Sequence, residues 1–150
     1  MDETIERTLK EFGFQLAPLG RRAMAYAIDD MLISLLFVAA VWDQMAAVQT
    51  PEAMAAIVNG LWWPILATKI GYHTLFVWQY GASLGKMAMK MRVIEIRTGE
   101  TPRFAVAFNR AIFRVVSELL FYLGFFWAFF DSARQAWHDK TASTLVIDVR

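Results

Sequence analysis

Four side chains able to carry or exchange a proton lie inside runs of apolar residues: Asp29 and Asp30 in one run, Lys69 and His73 in another. A charged group is costly in hydrocarbon, so such residues usually pair with one another or line a path for ions or protons. Asp29 lies seven residues beyond Arg22, and His73 lies seven residues before Tyr80. At 1.5 Å per residue, each is about 10 Å from its helix end, on the same side of the membrane. Asp29 and His73 are therefore expected level with each other on adjacent helices. Lys69, four residues before His73, shares its helix face and lies nearer the midplane. A carboxylate opposite a lysine or histidine lowers the cost of burying both. Desolvation also moves such groups toward neutral pH, where they exchange protons. Two readings follow. Asp29, Asp30, Lys69 and His73 form an ion or proton path, or they are static pairs that fix helix register, with Asp30 facing headgroups.

The elements that must position these residues are membrane helices. Hydrophobic residues make up 57% of the 150 and charged residues 19%, with mean hydropathy +0.37; soluble domains run near 45–50% and 25%. The excess sits in long runs, which calls for a bilayer. A first span covers residues 23–42, started by Arg21 and Arg22 and closed by Trp42. A second covers 57–80, with Trp62, Trp63, Trp78 and Tyr80 as interfacial aromatics. Loop 43–56 has no Lys or Arg, whereas residues 81–114 carry Lys86, Lys90, Arg92, Arg97, Arg103, Arg110 and Arg114. The positive-inside rule then places the N-terminus and residues 81–103 in the cytoplasm.

The third apolar region, 104–130, admits two topologies. Arg103, Arg110 and Arg114 share one helix face and Phe104, Phe108 and Ile112 another, which reads as an interfacial helix. On this reading Lys86, Arg103, Arg110 and Arg114 contact anionic lipid headgroups, and Arg114 and Glu118 form a local pair. Val115 to Phe130 is only 16 residues, short of the ~20 a crossing needs. Either it crosses and the C-terminus lies outside, or it enters and returns. Two β-branched runs, Arg92–Arg97 and Thr144–Val149, favour the second, because they can pair only on one side. Residues 1–20, with Ile5, Leu9, Phe12 and Leu16 at helical steps, read as an amphipathic segment on the membrane surface. Residues 21–150 form the membrane domain. The fold class is an all-α integral membrane protein: two to three transmembrane helices, interfacial helices and a short cytoplasmic β-ribbon.

Several function classes are excluded. The chain has no cysteine, so no disulfide, thiolate metal site or cysteine nucleophile. No His/Asp/Glu cluster has metal-ligand spacing, and no Ser-His-Asp arrangement is supported locally. Gly81-Ala-Ser-Leu-Gly-Lys86 is one residue short of a phosphate loop and lacks the following Ser/Thr. No catalytic residue, cofactor or enzymatic activity is expected. Net charge is +1, and no stacking platform accompanies the basic residues, so nucleic acid is not a partner.

Three motifs in order resemble the RDD family of small membrane proteins, named for one arginine and two aspartates. The first is Arg22 with Asp29 in Arg21-Arg-Ala-Met-Ala-Tyr-Ala-Ile-Asp-Asp30. The second is Ser83-Leu-Gly-Lys86 followed by Met91-Arg-Val-Ile94. The third is Phe130-Asp131, Arg134, His138-Asp139-Lys140 and Thr144-Leu-Val-Ile147. Asp139 matches the second aspartate. The chain departs from the family at Ala142-Ser143, where a glycine before the threonine is common. The resemblance spans about residues 18–149 and implies a bacterial inner-membrane protein, with transport (cation/proton exchange or a small solute) as an expected role. Two or three spans enclose no alternating-access path, so an oligomer or membrane partner is expected. The alternative is a non-catalytic accessory subunit that binds partner helices or anionic lipids.

Overall fold

A computed structural model describes all 150 residues. Helix α1 (Glu3–Phe12) is started by the Asp2 carboxylate, which accepts from Thr4 N–H at 3.1 Å, and ended by Gly13 in the left-handed conformation. Strand β1 (Gln15–Leu16) follows, then α2 (Leu19–Ala40). With 22 residues, α2 is about 33 Å long, enough to cross a hydrocarbon core of about 30 Å. A short α3 (Trp42–Ala47) leads to α4 (Pro51–Gly60) and α5 (Trp62–Tyr80), which together run as one 30-residue apolar rod broken only at Leu61. The rod begins six residues earlier than the hydropathy pattern of 57–80 suggests. Thr50 accepts from Ala53 N–H and Pro51 occupies the first turn, a strong local start that apolar counting does not register.

Gly81 ends α5 and turns the chain into α6 (Leu84–Ala88) and strand β2 (Met91–Glu95). Helix α7 (Phe104–Leu119) is 16 residues, about 24 Å. Phe121 and Tyr122 then take left-handed backbone conformations, with φ of 53° and 62°. The chain bends by 108° into α8 (Leu123–Phe126) and a turn of 3-10 helix at Trp127–Phe129. Helix α9 (Trp137–Thr141) and strand β3 (Thr144–Asp148) complete the chain.

The strands form an antiparallel sheet in the order β1-β3-β2, with Val93 opposite Val146 and Leu16 opposite Ile147. This is one strand more than the ribbon expected. The Gln15–Leu16 pair was too short to carry an alternating pattern. Because β3 pairs with β2, the regions around residues 91–95 and 144–148 share one side of the membrane. A single full crossing by the third apolar region would separate them, and the 108° bend within it fits a segment that turns back.

The apolar residues of β2 and the central strand β3 are buried, with Val93, Ile94, Leu145 and Ile147 at 0–1% exposure. Each such side chain contributes roughly 1.5–3 kcal/mol on leaving water. Ile5 and Leu9 of α1 pack onto this sheet, and the Thr8 hydroxyl donates to the Ile96 carbonyl at 2.6 Å. The apolar face of α1 is thus covered by protein. This corrects the expected membrane-surface helix, since the amphipathic pattern was the same but its partner was a sheet formed by residues far along the chain. The spans, by contrast, leave Leu32, Leu35, Leu36 and Trp63 exposed, as lipid-facing helices do. Helix α5 packs chiefly on α7 and α2 chiefly on α6, while α2 and α5 meet only briefly.

Candidate functional site

The polar residues fall into three connected groups. The first is centred on Asp139, which is fully enclosed. Arg22 of α2 donates to its carboxylate and to the Arg134 carbonyl. Arg110 of α7 lies 2.6 Å from the other carboxylate oxygen, an ion pair without linear hydrogen-bond geometry, and donates to the Thr144 hydroxyl at 2.8 Å. Ala136 N–H also donates to Asp139 at 3.0 Å. Burial alone would raise the Asp139 carboxyl, but Arg110 and Arg22 outweigh it and hold the group well below the usual carboxylate range. Beside it, burial pushes the His138 imidazole well below its ordinary value; Asp139 opposes the shift, while Arg110 and Arg114 reinforce it. His138 is therefore neutral at physiological pH. One carboxylate joins α2, α7 and α9, elements far apart in sequence.

The second group is centred on Asp29, also fully enclosed. It accepts from the Tyr72 hydroxyl at 2.7 Å, the Ser83 hydroxyl at 2.6 Å and Gly85 N–H at 2.8 Å. Tyr72 in turn accepts from Leu84 N–H at 3.0 Å. The close approach of α6 to α2 demands Gly85, because a Cβ there would lie 2.1 Å from the Ala25 carbonyl oxygen. So Ser83-Leu-Gly85 is a clamp on Asp29, which explains the serine and the glycine, while Leu84 contributes its backbone N–H.

The third group lies at mid-helix depth. Lys69 of α5 is 2.7 Å from both Asp30 of α2 and Glu118 of α7. Glu118 is also 3.8 Å from Arg114, one turn earlier, as the spacing suggests. The Arg114 guanidinium stacks over Tyr26 at 4.8 Å, a cation–π contact that ties α7 back to α2.

These positions revise the expected pairings. Asp29 contacts neither His73 nor Lys69. Equal depth on two helices was a sound inference, but α6 folds against α2 at that level and supplies neutral donors instead. His73 is buried against α7, beside Lys86, Arg110 and Arg114. Asp30, read as a headgroup contact or path residue, is the partner of Lys69. The anchors expected at lipid headgroups divide as well. Arg103 is exposed and holds Glu95 at 3.3 Å, whereas Lys86, Arg110 and Arg114 are 4–5% exposed and face the interior. Sequence reasoning missed Tyr72 and Tyr26. Tyr72 adjoins His73, and the helix face that meets the clamp is one residue away from the one chosen.

Two to three lipid-facing helices enclosing buried ion pairs, with a small sheet on one side, define a helical integral membrane protein. The model of the RDD family matches residues 16–143, and the chain belongs to that family. Arg22, Asp29 and Asp139, the residues singled out by the motif resemblance, all lie in the first two groups. An uncharacterized protein of Rickettsia prowazekii (strain Madrid E) is 32% identical over 87 residues, covering 55% of this chain and 48% of the relative. The proline-rich antigen of Mycobacterium leprae (strain TN) is 31% identical over 80 residues, covering 49% of this chain and 32% of that protein. A proline-rich antigen homolog of Mycobacterium tuberculosis (strain ATCC 25618 / H37Rv) is 25% identical over 87 residues, covering 53% and 36%. The chain spans about half or less of the length of these curated relatives. No solved structure matches the chain.

Proposed function

We propose that this RDD-family chain is a non-enzymatic accessory module of the bacterial inner membrane, working in an assembly with further copies of itself. The observation that carries this reading is the Asp30–Lys69 pair. Asp30 lies midway along α2, yet its side chain, though paired with Lys69, keeps 40% of its surface exposed. A carboxylate facing hydrocarbon is costly, and a neighbouring helix removes that cost. The basic residues around β2 support a cytoplasmic sheet and N-terminus by the positive-inside rule.

The test is the number of copies per particle, by native mass spectrometry from lipid nanodiscs. The proposal expects two or more copies for the parent chain and one for Asp30→Leu. A monomeric parent chain would overturn it.

A second reading, proton-coupled cation movement, is favoured by Lys69 sharing two carboxylates within the membrane. Cation-dependent dissipation of a pH gradient in proteoliposomes, abolished in Asp30→Asn at matched incorporation, would support it. No flux from the folded oligomer would exclude it.

A further inference from the structure

Counting the three groups together with Lys86, five cationic side chains (Arg22, Lys69, Lys86, Arg110, Arg114) face four carboxylates (Asp29, Asp30, Glu118, Asp139). Each carboxylate but Asp29 is engaged by a cation, and Asp29 is occupied by neutral donors. Lys86 is left over. It is 5% exposed, and its ammonium has neither a hydrogen bond nor a carboxylate partner. An unpaired buried ammonium costs several kcal/mol.

Lys86 lines a cavity of about 270 Å³ together with Arg114 and His138. His138 Nδ1 and Arg114 Nε are themselves buried without hydrogen-bond partners. Arg22, Tyr26 and Tyr122 add further polar groups, and the rest of the wall is apolar, chiefly Leu19, Phe125, Phe126 and Phe129. Phe126 and Phe129 are 57% and 65% exposed on the membrane-entering turn, so the apolar side opens toward lipid. Burial, then Arg114 and Arg110, push the Lys86 amine well below its usual range, with Asp29 opposing only in part. An anion in the cavity would oppose that shift and give the ammonium a partner.

We propose that this cavity holds the phosphate head of an anionic membrane lipid, with Lys86 and Arg114 on the phosphate oxygens and the lipid chain leaving past Phe126 and Phe129. Guanidinium and ammonium groups together suit a phosphate. The apolar wall selects an amphiphile over a free anion, which would be poorly solvated there. The volume, near the low end for ligand pockets, fits a head and the first carbons rather than a whole lipid.

The experiment follows the thermal midpoint of delipidated full-length protein while phosphatidylglycerol, phosphatidylcholine or inorganic phosphate is titrated in. Phosphatidylglycerol should raise the midpoint at a concentration lower by about tenfold than phosphatidylcholine, with inorganic phosphate giving no comparable shift. Lys86→Met should be as stable as the parent without lipid, having lost an unpaired charge, and should lose the phosphatidylglycerol preference. Ala23→Trp, which fills the cavity mouth from an exposed position, should lose it too and covers the case of Lys86→Met failing to fold. Exposed Arg97→Gln should respond as the parent does. Equal response to both lipids, a full response to inorganic phosphate, or retained preference in Ala23→Trp would overturn the assignment. Loss of preference in Arg97→Gln equal to that in Ala23→Trp would also overturn it, in favour of general surface attraction.

Discussion

Asp29 is completely enclosed, whereas the side chain of the next residue, Asp30, keeps 40% of its surface exposed. Both stand on α2, about 100° apart around the helix. Asp29 is held by two hydroxyls and a backbone N–H from α5 and the α6 connection. Asp30 is held by a single lysine that it shares with Glu118. The first arrangement fixes one geometry, because every donor is directional and the backbone is pressed against it. The second rests on two flexible side chains, one of which is open to its surroundings. Adjacent carboxylates therefore differ in their surroundings: Asp29 is locked inside the fold, whereas Asp30, paired with Lys69, stays partly exposed.

The difference is sharpened by substitution. Gly85→Ala should have the largest effect, because its Cβ collides with backbone rather than with a movable side chain. We expect loss of folded protein, read as recovery of the monodisperse species after detergent extraction. Asp139→Asn should come next, at about 3–5 kcal/mol, since it leaves Arg22 and Arg110 buried without their countercharge. Chemical unfolding in mixed micelles measures it. Asp29→Asn keeps an acceptor but weakens three charge-assisted bonds, so roughly 1.5–3 kcal/mol is expected in the same assay. Arg103→Ala, which opens an exposed pair with Glu95, should cost under about 1 kcal/mol.

The pH dependence follows from Asp139. Its folded-state value is depressed, so its stabilising contribution is fully present above the unfolded carboxylate range, near pH 4. That contribution is lost only as pH falls through the much lower folded value. Between pH 8 and 5 the Asp139 ion pairs should therefore hold, and unfolding midpoints of Asp139→Asn and the parent chain should stay a constant distance apart. A gap that closes on going from pH 8 to pH 5 would contradict the assignment.

Much of this was legible in the residues. The spans, the flanking aromatics, the basic connection and the pairing of the Arg92 and Thr144 runs all came from period and charge. Arg22, Asp29 and Asp139 were identifiable through the family resemblance. Their partners were not, because depth along a helix says nothing of rotation about it. A residue at Tyr72 rather than His73 meets Asp29 for that reason alone. The burial of Lys86, Arg110 and Arg114 was equally hidden. A basic stripe reads the same whether it faces phosphates in bulk lipid or a carboxylate supplied by α9, some 30 residues later. The amphipathic face of α1 was read correctly as needing a cover, but the sheet that covers it is built from distant strands.

The most direct test of the contrast between the two aspartates uses the absence of native cysteine. Ser34, one turn beyond Asp30 on the same face of α2, is exposed. Ser34→Cys should form a disulfide between two copies in oxidised native membranes, and Asp30→Leu in the same chain should abolish it. No cross-linking in the Ser34→Cys chain at native abundance would contradict the claim that a second copy covers Asp30.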